Sequence, residues 1–258
     1  MLAFDEAGSP ANRPLILVHG WCCNRGHMKE IMGHFAARYH VIAVDLPGHG
    51  ESLLGNVVPS FDAFAASVCS FVAERQLHQP VLVGHSMGGV ISVVSAAREP
   101  ALVAGVVNLD GALPLAPSVR DAYRDLFTRI NREGFRPVVA RFIKEAFFLP
   151  FEHGAISEAI VTAMISHPEA LASALLKEFP ALEAEPVLSA SHTPLLFIGS
   201  SRPRFDEQAL KKVRPDAWVA RVAVSGHFMQ IFALPQLIAM IEKFIAVEIE
   251  HEPATWSR

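Results

Sequence analysis

The sequence predicts an α/β fold in which a doubly wound, mostly parallel sheet is interrupted by an inserted helical cap. Short apolar runs alternate with amphipathic helical patterns along most of the chain, and this alternation is typical of parallel sheets flanked by helices. Most of the apolar runs are continuous, as in strands that are buried on both faces. The alternation stops between about Leu113 and Ser191, where only helical patterns occur, and it resumes at Pro194.

Six apolar runs are predicted to form the strands. They are Leu15–Val18, His40–Val44, Pro80–Val83, Gly105–Leu109, Pro194–Ile198 and Trp218–Val224. Residues 61–77 and 235–249 repeat apolar side chains at three- and four-residue spacing, which predicts amphipathic helices that pack on the sheet. In open α/β sheets, sites form beyond the carboxyl ends of the strands. Functional side chains are therefore expected directly after these runs.

The helical stretch in the middle of the chain has two interpretations: a second helical domain, or a cap inserted between two strands of one sheet. The return of the strand pattern favours the cap. We therefore predict an α/β core of residues 1–112 and 192–258, with a helical cap of residues 113–191. Five prolines are expected to punctuate its helices, namely Pro137, Pro150, Pro168, Pro180 and Pro186.

Composition narrows the class of protein. The chain has 258 residues, of which 51% are hydrophobic, and this predicts a packed globular protein with a sizeable core. The net charge of −4 needs no basic face to explain it, which argues against a nucleic-acid partner. No stretch approaches the ~18 apolar residues that a membrane span needs. The tail, residues 251–258, is expected to fray.

The cysteines and the N-terminal residues favour a cytoplasmic protein. The chain has an odd number of cysteines, namely Cys22, Cys23 and Cys69. The first two are adjacent, which is a poor arrangement for a structural disulfide. Asp5 and Glu6 stand where a secretory signal would have its apolar region. Reduced thiols and a cytoplasmic location are therefore expected.

A serine between glycines follows the third predicted strand. Gly84-His85-Ser86-Met87-Gly88 matches the pattern Gly-x-Ser-x-Gly. At a sharp strand-to-helix turn the hydroxyl would be exposed, and glycines on both sides would avoid collisions with the neighbouring strand and helix. The same turn would aim the backbone N–H of Met87 at an oxyanion. The alternative is a structural serine in a glycine-rich turn, but the strand before it and the small-residue helix after it favour a nucleophile.

Four motifs, in the right order, resemble the α/β-hydrolase fold family, and the resemblance covers nearly all of the chain. LILVHGW (15–21) resembles that family's strand and oxyanion loop, and VIAVDLPGHGES (41–52) resembles its next strand and turn. VGHSMGG (83–89) resembles the nucleophile turn. VSGHFMQIFALPQLIAMI (224–241) resembles the last strand, the catalytic histidine and the closing helix. The resemblance implies a triad of serine, histidine and an acid.

His227 is predicted to be the general base. It follows the last apolar run and the turn Ser225-Gly226, and the order of the hydrolase triad places the histidine last. An imidazole with a near-neutral pKa can take the serine proton and return it to the leaving group, so activity is expected to fall below a pH of ~6.5. A surface loop histidine is the alternative. The second oxyanion N–H is assigned to Trp21, with Cys22 as a contender.

The acid of the implied triad is absent from the position where the resembled family usually carries it. In most members of the resembled family it follows the strand that corresponds to PLLFIGSS, at the position held here by Arg202. Two aspartates remain: Asp206 in the same loop, and Asp110 at the end of GVVNLD. Asp110 is favoured because a strand end has a well-fixed backbone and Gly111 lets the chain turn away. Asp206 suits a helix cap. A strand-end aspartate also occurs as a structural residue in relatives whose acid lies elsewhere.

These features predict a serine hydrolase, a carboxylesterase that cleaves small esters or related acyl compounds through an acyl-enzyme on Ser86. Amides, lactones or C–C bonds are related possibilities. The phenylalanine-rich cap favours an apolar small-molecule substrate. No metal-ligand spacing occurs, and neither metal nor cofactor is expected. Two alternatives stay open: a cofactor-independent oxygenase or lyase that uses His227 as base, and a non-catalytic ligand receptor. A monomer or homodimer is expected.

Overall fold

A sheet of seven strands runs through the part of the chain that the computed structural model describes, residues 1–251. The fraying expected of the tail lies outside the described residues, apart from residue 251. The spatial order is β1-β3-β2-β4-β5-β6-β7, and only β1 runs antiparallel to its neighbour. The strands are β1 (Phe4–Ala7), β2 (Pro14–Val18), β3 (His40–Val44), β4 (Val81–His85), β5 (Gly105–Leu109), β6 (Leu195–Gly199) and β7 (Trp218–Arg221).

The five central strands are buried on both faces, as their continuous apolar sequences predict. Alternate side chains enter two core layers. Leu15 and Leu17 pack on the side of helices α1 (Lys29–Phe35) and α11 (Leu234–Phe244). Ile16 and Val18 pack on the side of α2 (Phe61–Glu74) and α3 (Met87–Arg98). The predicted doubly wound, mostly parallel sheet is therefore confirmed.

The two edge strands depart from the sequence prediction. β1 was not predicted, because its four residues include the exposed, charged Asp5 and Glu6 and an edge strand needs no continuous apolar pattern. β7 ends at Arg221 instead of extending to Val224, which is exposed and has a φ of 55°. This left-handed conformation turns the chain away from the sheet before His227.

Several helices lie between β5 and β6, and β6 pairs directly with β5 across this insertion. We call residues 113–191 the inserted segment. Pro137 and Pro186 lie in the first turn of their helices, where a missing N–H costs least. Pro150 begins a 3-10 turn and Pro168 directly precedes a helix, whereas Pro180 lies inside a helix, next to its last residue. The helices are α4 (Pro117–Glu133), α5 (Phe135–Phe147), α6 (Ala155–Ile165), α7 (Glu169–Ala181) and α8 (Ala184–Ser189), with a 3-10 turn at Pro150–Glu152.

Two short helices follow the last strands: α9 (Glu207–Val213) after β6 and α10 (Met229–Phe232) after β7. A 3-10 turn at Arg25–Met28 precedes α1, and a π-helical turn at Ile245–Ile249 follows α11. Among residues 1–251, no single helix is long and apolar enough to cross a membrane. Helices α6 and α7 reach that threshold only as a pair, and they are bent by 101° at the break between them.

Candidate active site

Ser86 is the single residue between β4 and α3. It has a φ of 55° and a ψ of −119°, a conformation that is costly for a residue with a side chain. A Cβ on Gly84 would collide with the carbonyl oxygen of Gly88, and a Cβ on Gly88 would collide with the carbonyl oxygen of Val18. The helix therefore starts in contact with the strands, and the predicted reason for the two glycines is confirmed.

Ser86 and Asp110 lie side by side at the carboxyl edge of the sheet. The backbone N–H of Ser86 donates to the carbonyl oxygen of Leu109 at 2.8 Å, and that of Asp110 donates to the carbonyl oxygen of Ile198 at 2.9 Å. A Cβ on Gly111 would lie 2.6 Å from the carbonyl oxygen of Ser86. Glycine at this position lets the chain pass the serine, and the strand hydrogen bonds fix both residues.

Asp110 is hydrogen-bonded to His227. The distance from His227 Nδ1 to Asp110 Oδ2 is 2.7 Å, and the two side chains are 2% and 0% exposed. The other carboxylate oxygen accepts the backbone N–H groups of Ser200 at 3.1 Å and Arg204 at 3.2 Å. Because an ionised carboxylate only accepts, Nδ1 of the histidine carries the proton and Nε2 has a free lone pair.

Burial shifts the pKa of both partners. Loss of hydration raises the pKa of Asp110 to about 6, although the Arg204 guanidinium and the N–H donors oppose the rise. Burial also holds the pKa of His227 well below its ordinary value, and the positive charge of Arg204 lowers it further. His227 is therefore neutral at neutral pH and can accept a proton.

Ser86 and His227 are not hydrogen-bonded to each other, and Nε2 of His227 has no hydrogen-bond partner among the described residues. The two residues are nevertheless brought close together. The ring of His85, which precedes the serine, lies 4.7 Å from the ring of His227, and its Nε2 donates to the carbonyl oxygen of His227 at 2.9 Å. Catalytic hydrogen bonds often tighten only when a substrate binds.

Met87 and Trp21, the residues predicted to donate to an oxyanion, belong to the helix that follows Ser86 and to a loop that passes it. Met87 is the first residue of α3, where a backbone N–H has no acceptor within the helix. A Cβ on Gly20 would lie 3.2 Å from the Cβ of the serine, so the loop of Trp21 passes directly beside the nucleophile turn. The indole N–H of Trp21 donates to the carbonyl oxygen of Ala172 in α7 at 2.9 Å. Cys22, the contender, has a φ of 52°.

Asp206, the alternative acid, is not the hydrogen-bond partner of His227. Asp206 caps α9, where its Oδ1 accepts the backbone N–H of Ala209 at 3.0 Å. Arg202, at the position where most relatives carry the acid, is exposed. The structure thus brings Asp110, and not Asp206, into contact with His227.

Phe147, Arg204 and Glu152 lie around His227 and the glycine that precedes it, and no motif in the sequence marks Arg204 or Glu152. The ring of Phe147 lies 4.6 Å from the imidazole, and its carbonyl oxygen accepts the backbone N–H of His227 at 2.7 Å. The guanidinium of Arg204 stacks on Phe147 at 4.4 Å. The buried carboxylate of Glu152 accepts the backbone N–H of Gly226 at 2.9 Å. Only Phe147 could have been singled out, as one of several phenylalanines in the predicted cap.

A row of three histidine rings joins the oxyanion loop to the inserted segment. The ring of His49 lies 5.1 Å from that of His19 and 4.9 Å from that of His167. Burial lowers the pKa of His49 to about 4 and that of the other two below the ordinary value, so these rings pack as neutral groups. Within residues 1–251, no group of three or more His, Cys, Asp or Glu side chains could hold a metal ion.

Comparison with known proteins gives relatives over about half of the chain. The pimeloyl-[acyl-carrier protein] methyl ester esterase of Sodalis glossinidius is 30% identical over 145 residues, which cover 54% of each chain. The 2-succinyl-6-hydroxy-2,4-cyclohexadiene-1-carboxylate synthase of Escherichia coli O1:K1 / APEC is 32% identical over 137 residues, 52% of this chain and 54% of the relative. The chain spans about half or less of the length of the curated relatives it matches, from 35% to 54%.

Two further comparisons extend over most of the chain. A thermophilic esterase from Thermogutta terrifontis superimposes with a TM-score of 0.79 at 23% identity, covering 95% of this chain and 92% of that one. This likeness shows the fold. The sequence model of the Alpha/beta hydrolase family matches residues 15–239, from β2 into α11. Because that match covers most of the chain, including Ser86, Asp110 and His227, the protein belongs to the alpha/beta hydrolase family.

Proposed function

We propose that the protein is a serine hydrolase that cleaves small carboxylic esters or related acyl compounds through an acyl-enzyme. The observation that carries the proposal is the 2.7 Å hydrogen bond between Asp110 and His227 beside the turn that holds Ser86. This bond leaves the His227 Nε2 lone pair free, as a general base requires. Family members that are named esterases and hydrolases support the same reaction class.

In the proposed reaction, Ser86 Oγ attacks the carbonyl carbon while His227 Nε2 takes the hydroxyl proton. Asp110 orients the imidazole and stabilises its charged form. The backbone N–H groups of Met87 and Trp21 donate to the oxyanion, where the loss of one donor typically costs ~3 kcal/mol of barrier. His227 passes the proton to the leaving alcohol. A water molecule that His227 activates then releases the acyl group from Ser86.

The surroundings of His227 favour an uncharged, largely apolar substrate. The ring of Phe147 borders the imidazole, and the buried Phe148 stacks on Phe228 at 5.4 Å. Ser86 is only 8% exposed, so the reacting group would be enclosed by the inserted segment, acting as a lid. The relative that is named for a methyl ester supports a small alkyl ester. The free, buried cysteines support a reducing, cytoplasmic location.

A fluorophosphonate probe and p-nitrophenyl acetate test the proposal. The wild-type protein is expected to be labelled on Ser86 and to release p-nitrophenol, and Ser86→Ala is expected to lose both properties. Ser92→Ala is the matched control, since Ser92 lies in α3, the helix that follows Ser86, with its hydroxyl donating to the Gly88 carbonyl oxygen, and it should keep both. Normal turnover by Ser86→Ala would refute the acyl-enzyme.

A lyase or cofactor-independent oxygenase that uses His227 as base, without acylating Ser86, is the second candidate. Two observations favour it: Ser86 is not hydrogen-bonded to His227, and one relative is named a synthase. A panel of esters, lactones and amides, assayed with Ser86→Ala and His227→Ala, separates the candidates. Turnover that survives the first substitution and is lost with the second supports the lyase or oxygenase. Any p-nitrophenol release above background excludes a purely non-catalytic receptor.

A further inference from the structure

We propose that Glu152, in the inserted segment, is a positioning residue that holds the loop carrying His227. The proposal rests on the function proposed above, since it concerns His227 as the base. Glu152 lies far from His227 in sequence and belongs to a different part of the fold. Its carboxylate is nevertheless directed at the two residues that precede the histidine.

The contacts of Glu152 are specific. Oε1 accepts the backbone N–H of Gly226 at 2.9 Å and the hydroxyl of Ser225 at 3.2 Å. Oε2 accepts the backbone N–H of Leu149 at 2.7 Å and approaches the Gly226 nitrogen at 3.2 Å. A Cβ on Gly226 would lie 2.5 Å from Oε2. The carboxylate therefore fits against a backbone that only glycine can provide.

The location of this carboxylate has no simple packing explanation. Glu152 is only 5% exposed, and burying an ionised carboxylate is costly unless hydrogen bonds replace its hydration. Its hydrogen-bond partners are neutral N–H and O–H groups. An apolar side chain would fill the space at a lower cost, but it would leave the Gly226 N–H without an acceptor.

The next backbone N–H is held by the inserted segment as well. The N–H of His227 donates to the carbonyl oxygen of Phe147 at 2.7 Å. Two successive backbone donors, at Gly226 and His227, are thus bound by residues 147–152. Arg204, which donates a backbone N–H to Asp110, also donates its guanidinium N–H to the carbonyl oxygen of Ala146 at 3.0 Å. The inserted segment thereby fixes the base relative to the acid.

Loss of the Glu152 carboxylate should displace Nε2 of His227, because the Gly226 N–H beside the histidine loses its acceptor. A misplacement of about 1 Å in a catalytic group can cost ~100-fold in rate. The effect is therefore expected in kcat, with little change in KM, whereas a purely structural role would lower the thermal midpoint and leave kcat per active site unchanged.

The experiment compares Glu152→Ala, Glu152→Gln and Glu158→Ala with the full-length wild-type protein, using p-nitrophenyl acetate. Active sites are counted with the fluorophosphonate probe. Glu152→Ala should lower kcat ~10- to 100-fold with KM within about 3-fold. The kcat of Glu152→Gln should lie between those of the wild type and Glu152→Ala. Its amide oxygen can still accept the Gly226 N–H, whereas its NH2 group faces the Leu149 N–H, which is also a donor. Glu158→Ala is the control, since Glu158 is an exposed partner of Lys144 in the inserted segment. It should leave both kcat and KM unchanged.

Wild-type kcat in both Glu152 variants would overturn the inference. If Glu152→Ala does not fold, Glu152→Gln and Ser225→Ala decide, since each removes part of the same contact, and unchanged kcat in both is the overturning result. A wild-type protein that is neither labelled nor active refutes the proposed function and this inference with it. A wild type that is labelled and active, with unaffected Glu152 variants, refutes the inference alone.

Discussion

The two aspartates that follow β5 and β6 show how position at the sheet edge decides what a carboxylate does. Asp110 is the first residue after β5, and it is fully buried and bonded to His227. Asp206 lies further into the loop after β6, partly exposed, and caps a short helix. Strand hydrogen bonds fix the backbone of Asp110 relative to Ser86, whereas Asp206 serves its own helix. A strand end can therefore hold an acid in a shared site more firmly than a loop can.

Asp110→Asn should give the largest effect. An asparagine cannot hold the imidazole in the tautomer that accepts the serine proton, and such a change typically lowers kcat ~10⁴-fold. Asp206→Asn should leave kcat within about 2-fold, since asparagine is an equally good helix cap. Steady-state hydrolysis of p-nitrophenyl acetate measures both.

The reverse result would exchange the roles of the two aspartates. If Asp206→Asn loses activity and Asp110→Asn keeps it, Asp110 is a structural strand-end residue and the loop after β6 rearranges when substrate binds. Far-UV circular dichroism of both variants shows that each is folded when the rates are compared.

The sheet and the glycine-flanked turn at Ser86 could be predicted because their signals are local. Each central strand is a continuous apolar run, and the glycines at 84 and 88 mark backbone contacts that are present in the structure. The preference for Asp110 over Asp206 rests on the same principle, since the residue directly after a buried strand lies at the shared edge of the sheet. These features need no knowledge of how distant segments dock.

The features that the sequence did not predict depend mostly on how distant segments of the chain pack together. Glu152 and Phe147 lie in helical sequence with no motif, and they become neighbours of His227 only when the inserted segment packs on the loop after β7. β1 was missed for a different reason, because Asp5 and Glu6 interrupt the apolar pattern on an exposed edge. Sequence periodicity reports which side chains are buried, and it does not report which distant loop they contact.

The pH dependence tests the environment of Asp110. In the proposed mechanism, the active form has an ionised Asp110 and a neutral His227. The lowered pKa of His227 keeps the imidazole neutral even in mild acid, while the raised pKa of Asp110, about 6, means that this carboxyl takes up a proton as the pH falls through that value. The profile of kcat/KM should therefore decline about tenfold per pH unit below an inflection near 6 that belongs to the pair.

The control for this profile is Asp206→Asn, which should show the same inflection as the wild type. Thermal unfolding at each pH separates loss of activity from loss of folded protein. A profile that stays flat down to a pH of ~4 would contradict the raised pKa of Asp110.

Asp206→Ala should produce the smallest effect, and on stability alone. Its carboxylate satisfies the Ala209 N–H at the start of α9, and replacing an aspartate cap with alanine typically costs ~1 kcal/mol. For a chain of this size that corresponds to a fall of ~2 to 4 °C in the thermal midpoint. Asp206→Asn keeps the cap and should unfold like the wild type. The backbone N–H of Asp206 donates to the carbonyl oxygen of Pro114, and this bond does not depend on the side chain. The loop should therefore keep its conformation, and kcat should not change. A loss of kcat in Asp206→Ala that exceeds the loss of folded protein would show that this loop contributes more to the site than a capped helix.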